Sequence, residues 1–364
     1  MSILRNHVTK EWFSVFALAI FIISFLLLVG NIVKLVEMVI AKGVGLTTVG
    51  KLFIYMLPSL LIFSIPISIL CATLLCFGRM AYDNEITAIR ASGISLYPLL
   101  FVILLAGVMF SLLCLYFNDS LIPRAHYLIR TTVQEIGIKN PTAYIEEKTF
   151  IKAFRNHIMF IYKIKGNYLE DVRIFQPQSD KPTRTIVAEK GEFISIPEKS
   201  MIKLILKNGS ADEPDFENPD VFYKVNFKKY QLSLNLNEKN NLQKLDKKVQ
   251  DMTIRELKKE IKDMQSLGVD HRPLLVGLYR KYSLAFSSMI FILIGIPLAI
   301  RIKPRERSMG FGLSVIICLL YYFLMAAGES LALRNTISPL LGVWMPNLFF
   351  LILGLFLCFK VLEE

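Results

Sequence analysis

The sequence predicts a polytopic α-helical membrane protein, six transmembrane helices with one all-β domain inserted in the middle. Three observations predict it. The composition comes first: 54% of the 364 residues are hydrophobic and the mean hydropathy is +0.48, above the roughly 45–50% apolar content of soluble domains. Second, the apolar residues gather in six runs, each close to the ~20 residues that cross a ~30 Å hydrocarbon core. Third, the third and fourth runs are separated by a long polar stretch that holds short β-prone runs.

The expected organisation follows. Residues 1–118 hold the first three spans, about Trp12–Val33 (with helix possible to Ile40), Leu52–Phe77 and Leu96–Phe117. Residues 119–270 form the polar insertion, and 271–364 hold spans at about Tyr282–Ile300, Phe311–Leu333 and Leu340–Phe359. The first run lacks an A-x-A cleavage site and a second span follows closely, so it is read as an anchor. Pro58, Pro66 and Pro297 lie inside the spans; they permit kinks or are ordinary span irregularities.

Orientation comes from cations in the short connections. With the N-terminus in the cytoplasm, the inner segments carry Arg5, Lys10, Arg79, Arg90, Arg301, Lys303, Arg305, Arg307 and Lys360. The outer short segments carry only Lys34, Lys42, Lys51 and Arg334. Both termini are therefore expected inside and the polar insertion outside. The formal net charge of +12 belongs to topology and anionic lipid rather than to nucleic acid.

Within the insertion, β structure is expected over about 144–236. EEKTFIKAF, HIMFIYKI, LEDVRIF, RTIVAEKGEFISI and SMIKLILKNG are β-prone, with turn signals at Lys165-Gly166-Asn167, Lys190-Gly191 and Asn208-Gly209. In the last run the apolar residues are Val221, Tyr223, Val225 and Phe227, then Tyr230, Leu232, Leu234 and Leu236. That change of phase predicts a β-bulge at Lys228-Lys229. The absence of helical patterning among the runs favours a sandwich or an open antiparallel barrel. A helix is expected over 254–267, with a Thr253–Glu256 capping box, a stop at Gly268, and an apolar stripe of Ile254, Leu257, Ile261, Met264 and Leu267.

Several motifs exclude function classes. Gly45 to Lys51 reads G-x4-G-K, but Leu52 stands where a phosphate-binding loop needs Ser or Thr for Mg²⁺. No H-E-x-x-H or G-x-S-x-G occurs. The run Asp212-Glu213-Pro214-Asp215-Phe216-Glu217 lacks EF-hand spacing and reads as a solvated loop. The five cysteines lie in apolar segments, so neither a disulfide nor a cysteine zinc site is expected in the polar insertion. The chain is expected to bind no cofactor or metal of its own.

The segment GRMAYDNEITAIRASGISLYP, 78–98, is more charged than a short connection needs. Tyr82, Ile86, Ile89 and Gly93 share one face of an expected helix over 79–93; Asp83 and Arg90 lie to one side of it and Glu85 to the other. Such a helix either lies on headgroups or docks a cytoplasmic partner through its acids.

At these residues the chain resembles the lipopolysaccharide-export permeases, the LptF/LptG (YjgP/YjgQ) family. MLPSLLIFSIPISIL is similar to that family's second span, IGIPLAIRIKPRERSMGFGLS to its fourth-to-fifth connection, and WMPNLFF to its last span. DNEITAIRASGIS leans toward the LptF side. The resemblance covers essentially the whole chain. It implies a bacterial inner-membrane permease with a periplasmic jellyroll-like β domain, paired with a second, paralogous permease. It also implies a cytoplasmic LptB-like ATPase dimer that holds ATP and Mg²⁺, an LptC/LptA-like periplasmic bridge, and lipopolysaccharide as cargo.

By the same resemblance Glu85 is the acid that engages the ATPase, with Asp83, Arg90, Tyr82 and Ile86 around it. Lys34 and, by position, Lys42 are cations for the lipid's anionic head. A lysine there also snorkels without any ligand. Glu329, near the outer end of the fifth span, marks either the cavity or the interface. Two other classes stay open at this point. One is a membrane-anchored periplasmic scaffold, which leaves the acidic helix unexplained. The other is an ion-coupled transporter, which the nearly uncharged span centres disfavour.

Overall fold

The computed structural model describes residues 2–40, 43–95, 97–139, 150–154, 157–165, 168–176, 184–196, 201–214, 222–235, 248–302 and 307–363. Six stretches of helix among them are long and apolar enough to cross a membrane: Ile3–Ile40, Leu46–Tyr82, Tyr97–Val133, Arg272–Ile302, Met309–Leu333 and Pro339–Val361. The helical elements are α1 (Ser2–Ile40), α2 (Leu46–Tyr82), α3 (Glu85–Ala91), α4 (Tyr97–Tyr116), α5 (Ile122–Lys139), α6 (Ile254–Ser266), α7 (Arg272–Ile302), α8 (Arg307–Leu333) and α9 (Pro339–Glu363). The spans run longer than the sequence reading because helix continues past the hydrocarbon. Hydropathy marks the lipid boundary, whereas hydrogen bonding sets the end of the helix.

The chain forms two compact units. The first comprises Met1–Ile32, Tyr55–Tyr127 and Lys247–Glu364; the second comprises Val33–Ile54 and Leu128–Asp246. The first unit is a helical bundle around one apolar core. Val8, Trp12 and Phe16 of α1, Ile69, Leu74, Phe77 and Met80 of α2, Ile103 of α4, Phe291 of α7 and Tyr321 of α8 are all buried in it.

Uncharged polar groups cross-link this core. Trp12 Nε1 donates to Thr73 Oγ1 at 3.1 Å, and Ser24 Oγ to Ser64 Oγ at 3.0 Å. Asn347, from the WMPNLFF segment, donates to the Ser283 carbonyl at 3.0 Å and to Ser283 Oγ at 2.9 Å. Tyr321 O–H donates to Asn347 Oδ1 at 2.9 Å. Lipid offers no hydrophobic drive between helices, so such bonds and close packing hold the bundle. α8 and α9 meet at glycines: a Cβ on Gly328 would run into the Gly342 backbone carbonyl. Gly328→Val is therefore expected to part these helices at a cost of about 1–3 kcal/mol, seen as a lower unfolding midpoint in detergent with secondary structure retained at low temperature.

Helix ends follow the expected chemistry. At α6, Thr253 N–H donates to Glu256 Oε2 at 2.8 Å and Glu256 N–H returns to Thr253 Oγ1 at 3.2 Å, the predicted capping box. Gly268 has φ +66, and the Val269 N–H reaches back to the Met264 carbonyl at 3.1 Å, a Schellman stop. The α6 stripe packs through Leu257, Ile254, Ile261 and Met264. Leu267 does not join it: it follows the last helical turn and is exposed.

The β domain lies in the second unit. β1 (Phe150–Phe154), β2 (His157–Lys165), β3 (Tyr168–Gln176), β4 (Arg184–Ile196), β5 (Met201–Pro214) and β6 (Phe222–Asn235) form one antiparallel sheet in chain order. The all-β expectation holds; among the described residues the strands follow one another as an antiparallel meander with no crossover. Among the described residues β1 and β6 do not pair, so the sheet is open.

The expected bulge at Lys228-Lys229 is absent. β5 and β6 keep one register from Met201↔Asn235 to Pro214↔Phe222. Burial changes phase instead in every strand from β2 to β5. Met159 and Ile161 are buried before Tyr162, Leu169 before and Val172 after Asp171, Ile186 and Ala188 before and Phe193 after Glu189, Leu204 and Leu206 before and Ala211 after Asn208. β6 changes phase at the same level, between Phe227 and Tyr230. Pairing is interrupted at that one row and resumes in the same register.

Each strand thus carries the extra residue, and the row Tyr162–Asp171–Glu189–Asn208–Lys228 is a crease across the sheet. Asp171 (φ 51) and Asn208 (φ 53) make it in the left-handed region that short polar side chains tolerate. Both halves feed a single apolar cluster, which is how one sheet fills the role of two layers.

For the same reason Lys190-Gly191 and Asn208-Gly209 do not turn the chain; they lie inside β4 and β5. Lys165 pairs with Tyr168 across the third turn signal. Its residues Gly166 and Asn167 lie outside the described residues, as do Lys303, Arg305 and residues 215–217 of the acidic run. Asp212, Glu213 and Pro214 belong to β5 rather than to a loop.

Candidate functional site

The charged segment is not one helix over 79–93. α2 ends at Tyr82, the chain turns through Asp83 and Asn84, and α3 begins at Glu85. Asn84 adopts φ 58, ψ 16, a left-handed conformation that asparagine accepts and that no helix interior contains. Glu85 then stands in the first turn of α3, where the helix dipole favours an acid. α3 stops at Gly93 (φ +70). Gly93 N–H donates to the Arg90 carbonyl at 2.9 Å and Ile94 N–H to the Ile89 carbonyl at 3.2 Å, again a Schellman closure.

Arg79, on the last turn of α2, gathers three carboxylates. Its Nε and Nη2 grip Glu11 of α1 at 2.6 and 2.7 Å. Its Nη1 reaches Glu85 Oε1 at 3.0 Å and Asp83 Oδ2 at 3.3 Å. The paired, two-pronged contact with Glu11 is the geometry guanidinium provides and lysine does not. One cation among three anions leaves local negative charge. Glu85 is 37% exposed, and its second oxygen has no donor among the described residues. It is held in place by one oxygen and open to an outside cation at the other.

The neighbouring residues divide between anchoring and display. Ile86 is 4% exposed and belongs to the bundle core, with Ile89 packed against it. Tyr82 is exposed, and Asp83 is displayed beside it. Arg90 turns inward and donates to the Val361 carbonyl in the last turn of α9, one of the orphan acceptors at that helix end. α3 is therefore tied to α2 through Arg79 and to α9 through Arg90, with Glu85 and the preceding Asp83 displayed.

The other predicted residues lie elsewhere. Lys34 is exposed near the end of α1. Lys42 lies outside the described residues. Glu329 of α8 is 17% exposed and forms an ion pair with Arg280 of α7 at 3.3 Å. Its carboxylate is matched by a cation on the adjacent helix.

Sequence reasoning missed a second polar node. Lys281 of α7 is 6% exposed. Its Nζ donates to the Asn118 carbonyl at 2.7 Å, and Asn118 Nδ2 returns to the Lys281 carbonyl at 3.2 Å. Asn118 sits in a single π-helical turn, Phe117–Leu121, that joins α4 to α5. Asp119, next to it, accepts the Ile254 N–H at 2.7 Å and so caps α6. The only sequence signal was a pair of cations, Arg280-Lys281, abutting an apolar run.

The family model "Lipopolysaccharide export system permease LptF/LptG" matches residues 6–360. The chain belongs to the LptF/LptG permease family. An uncharacterized protein of Rickettsia prowazekii (strain Madrid E) is 23% identical to this permease over 192 residues, 52% of the chain. The permease spans 53% of that curated relative's length. The membership agrees with six spans and an inserted β domain.

The G-x4-G-K run at Gly45 to Lys51 does not have the strand–loop–helix setting of a phosphate-binding loop. The element before Gly45 is α1, a helix rather than a strand, and Gly45 leads directly into α2. What the charged site can do is bind a basic surface and pass force to the helices behind it.

Proposed function

We propose that this permease is the membrane subunit of an ATP-driven exporter that lifts lipopolysaccharide out of the bacterial inner membrane. It pairs with a second, related permease, and in this reading it is the LptF-side member. A separate LptB-like ATPase dimer binds ATP and Mg²⁺ beneath the membrane and docks on α3. The lipid leaves through the periplasmic β domain toward an LptC/LptA-like bridge. Both termini are cytoplasmic, and Lys34 and Lys42 meet the lipid's anionic head.

The observation that carries this reading is Glu85: an acid fixed by Arg79 through one oxygen and exposed at the other, on a short helix tied to α2 and, through Arg90, to α9. An arginine on the ATPase would complete the pair. ATP-driven closure would then move α3, and α2 and α1 with it. The test is co-purification from native membranes in mild detergent. An ATPase and a second permease are expected in stoichiometric amounts; recovery of the chain with periplasmic proteins alone would instead favour an anchored scaffold.

A further inference from the structure

α6 carries four cations, Arg255, Lys258, Lys259 and Lys262, and all four are exposed. At about 100° per residue they fall within an arc of about 100°. Leu257, Ile254, Ile261 and Met264 occupy the opposite side and pack with Leu274 and Leu278 of α7. Glu256, Glu260 and Asp263 lie together in the remaining sector. The helix is thus divided lengthwise into an apolar, an acidic and a basic face. Its own chain consumes the apolar face. The basic face makes no ion pair among the described residues.

Depth says what this face meets. α7 has 31 residues, about 46 Å of helix, whereas the hydrocarbon takes about 20 residues. Counted back from Ile302, the hydrocarbon ends near Ser283. Leu274 and Leu278, which hold α6, lie in the roughly two turns beyond, at the level of lipid headgroups. α6 is fixed there by the Asp119 bond to its first N–H, its capping box and its Gly268 stop. The four exposed charges are held at that level.

We infer that the basic face of α6 binds the phosphates of a membrane lipid headgroup. Flexible ammonium groups in a row suit mobile phosphates in the membrane plane, each adding to the attraction within a Debye length. The face lies at the α7 end that follows the β domain in the chain, where the proposed export reading needs an anionic lipid held at the interface. The inference rests on membrane depth and charge, not on ATPase docking.

The test uses the purified full-length chain, stripped of lipid in detergent and titrated with dioleoylphosphatidylglycerol or dioleoylphosphatidylcholine while native mass spectrometry counts retained lipids. The wild-type chain is expected to retain the anionic lipid preferentially. R255Q/K258Q/K259Q/K262Q should weaken that retention about tenfold or more and leave the zwitterionic lipid unaffected. K262Q alone, one exposed position, should weaken it about fivefold and reads the site even if the quadruple variant is unstable. K258R/K259R/K262R and the acidic-face variant E260Q/D263N should bind as wild type does. Inorganic phosphate at millimolar concentration should not displace the lipid. Equal retention of the two lipids by the wild type, or undiminished anionic retention in both glutamine variants, would overturn the inference; the second is the result if the face docks an acidic protein. No ATPase is present, so failure of the Glu85 reading leaves this outcome unchanged.

Discussion

Glu85→Lys is expected to abolish lipid release while the protein still reaches the membrane at normal levels. The substitution removes the outward carboxylate and sets a lysine against Arg79, which now lies 3.0 Å from Glu85 Oε1. Truncating one side of a hydrogen-bonded charge pair at an interface typically costs about 2–5 kcal/mol, roughly 30- to 5,000-fold in docking. Reversal adds repulsion to that loss. Glu85→Gln keeps the shape and one acceptor, so it should sit between wild type and lysine. ATPase recovered per permease and lipid released per ATP are the two readouts. Wild-type values for the lysine variant would remove Glu85 from the proposed contact.

Glu11→Gln is expected to separate docking from transport. Glu11 lies on α1 and does not touch Glu85, but it takes the two-pronged grip of Arg79. Hydrogen bonds to charged groups contribute about 1.5–3 kcal/mol each, so the glutamine loosens α1 from the end of α2 without disturbing α3's outward face. ATPase should still co-purify, while lipid released per ATP falls by about tenfold, the equivalent of ~1.4 kcal/mol in an equilibrium between tied and untied α1. Arg79→Ala should lose both properties, because it frees Glu11, Asp83 and Glu85 together. Arg79→Lys should recover part of the docking and little of the transport, since an ammonium does not reproduce the fork. Equal losses of docking and transport in Glu11→Gln would mean that the residue only stabilises α3.

Much of this arrangement was legible in the sequence, and the parts that were not share a cause. Spans and the β insertion are properties of composition and period, which a single chain displays. The break at Asn84 was hidden because Tyr82, Ile86 and Ile89 keep helical spacing across it. Only the local hydrogen-bond geometry shows that asparagine leaves the helix there. In β6 the change of phase at Lys228-Lys229 was visible, yet one strand cannot report whether its neighbours carry the same extra residue. All of them do, so a bulge became a crease. Lys190-Gly191 and Asn208-Gly209 looked like turns because glycine beside a polar residue is common in turns; of the four, only Asn208 takes positive φ (53°), and it does so within the crease.

At the candidate site Glu85 and its neighbours were found as a charged stretch, whereas Glu11 was not. It is 68 residues from Arg79 in the chain, and no local pattern links the two. Glu329 was found as an isolated acid in an apolar run. Its partner Arg280 was invisible because α7 continues as helix beyond the apolar residues that announced it. Lys281 and Asn118 were passed over for the same reason.

The most direct test is a map of the complete assembly purified from native membranes, read at α3. The account predicts ATPase density against the exposed edge of Glu85 and Asp83, on the side of the membrane opposite the β domain, with an ATPase arginine within salt-bridge distance of the free Glu85 oxygen. An assembly in which that edge of α3 faces only solvent or lipid, or lies on the same side as the β domain, would contradict it.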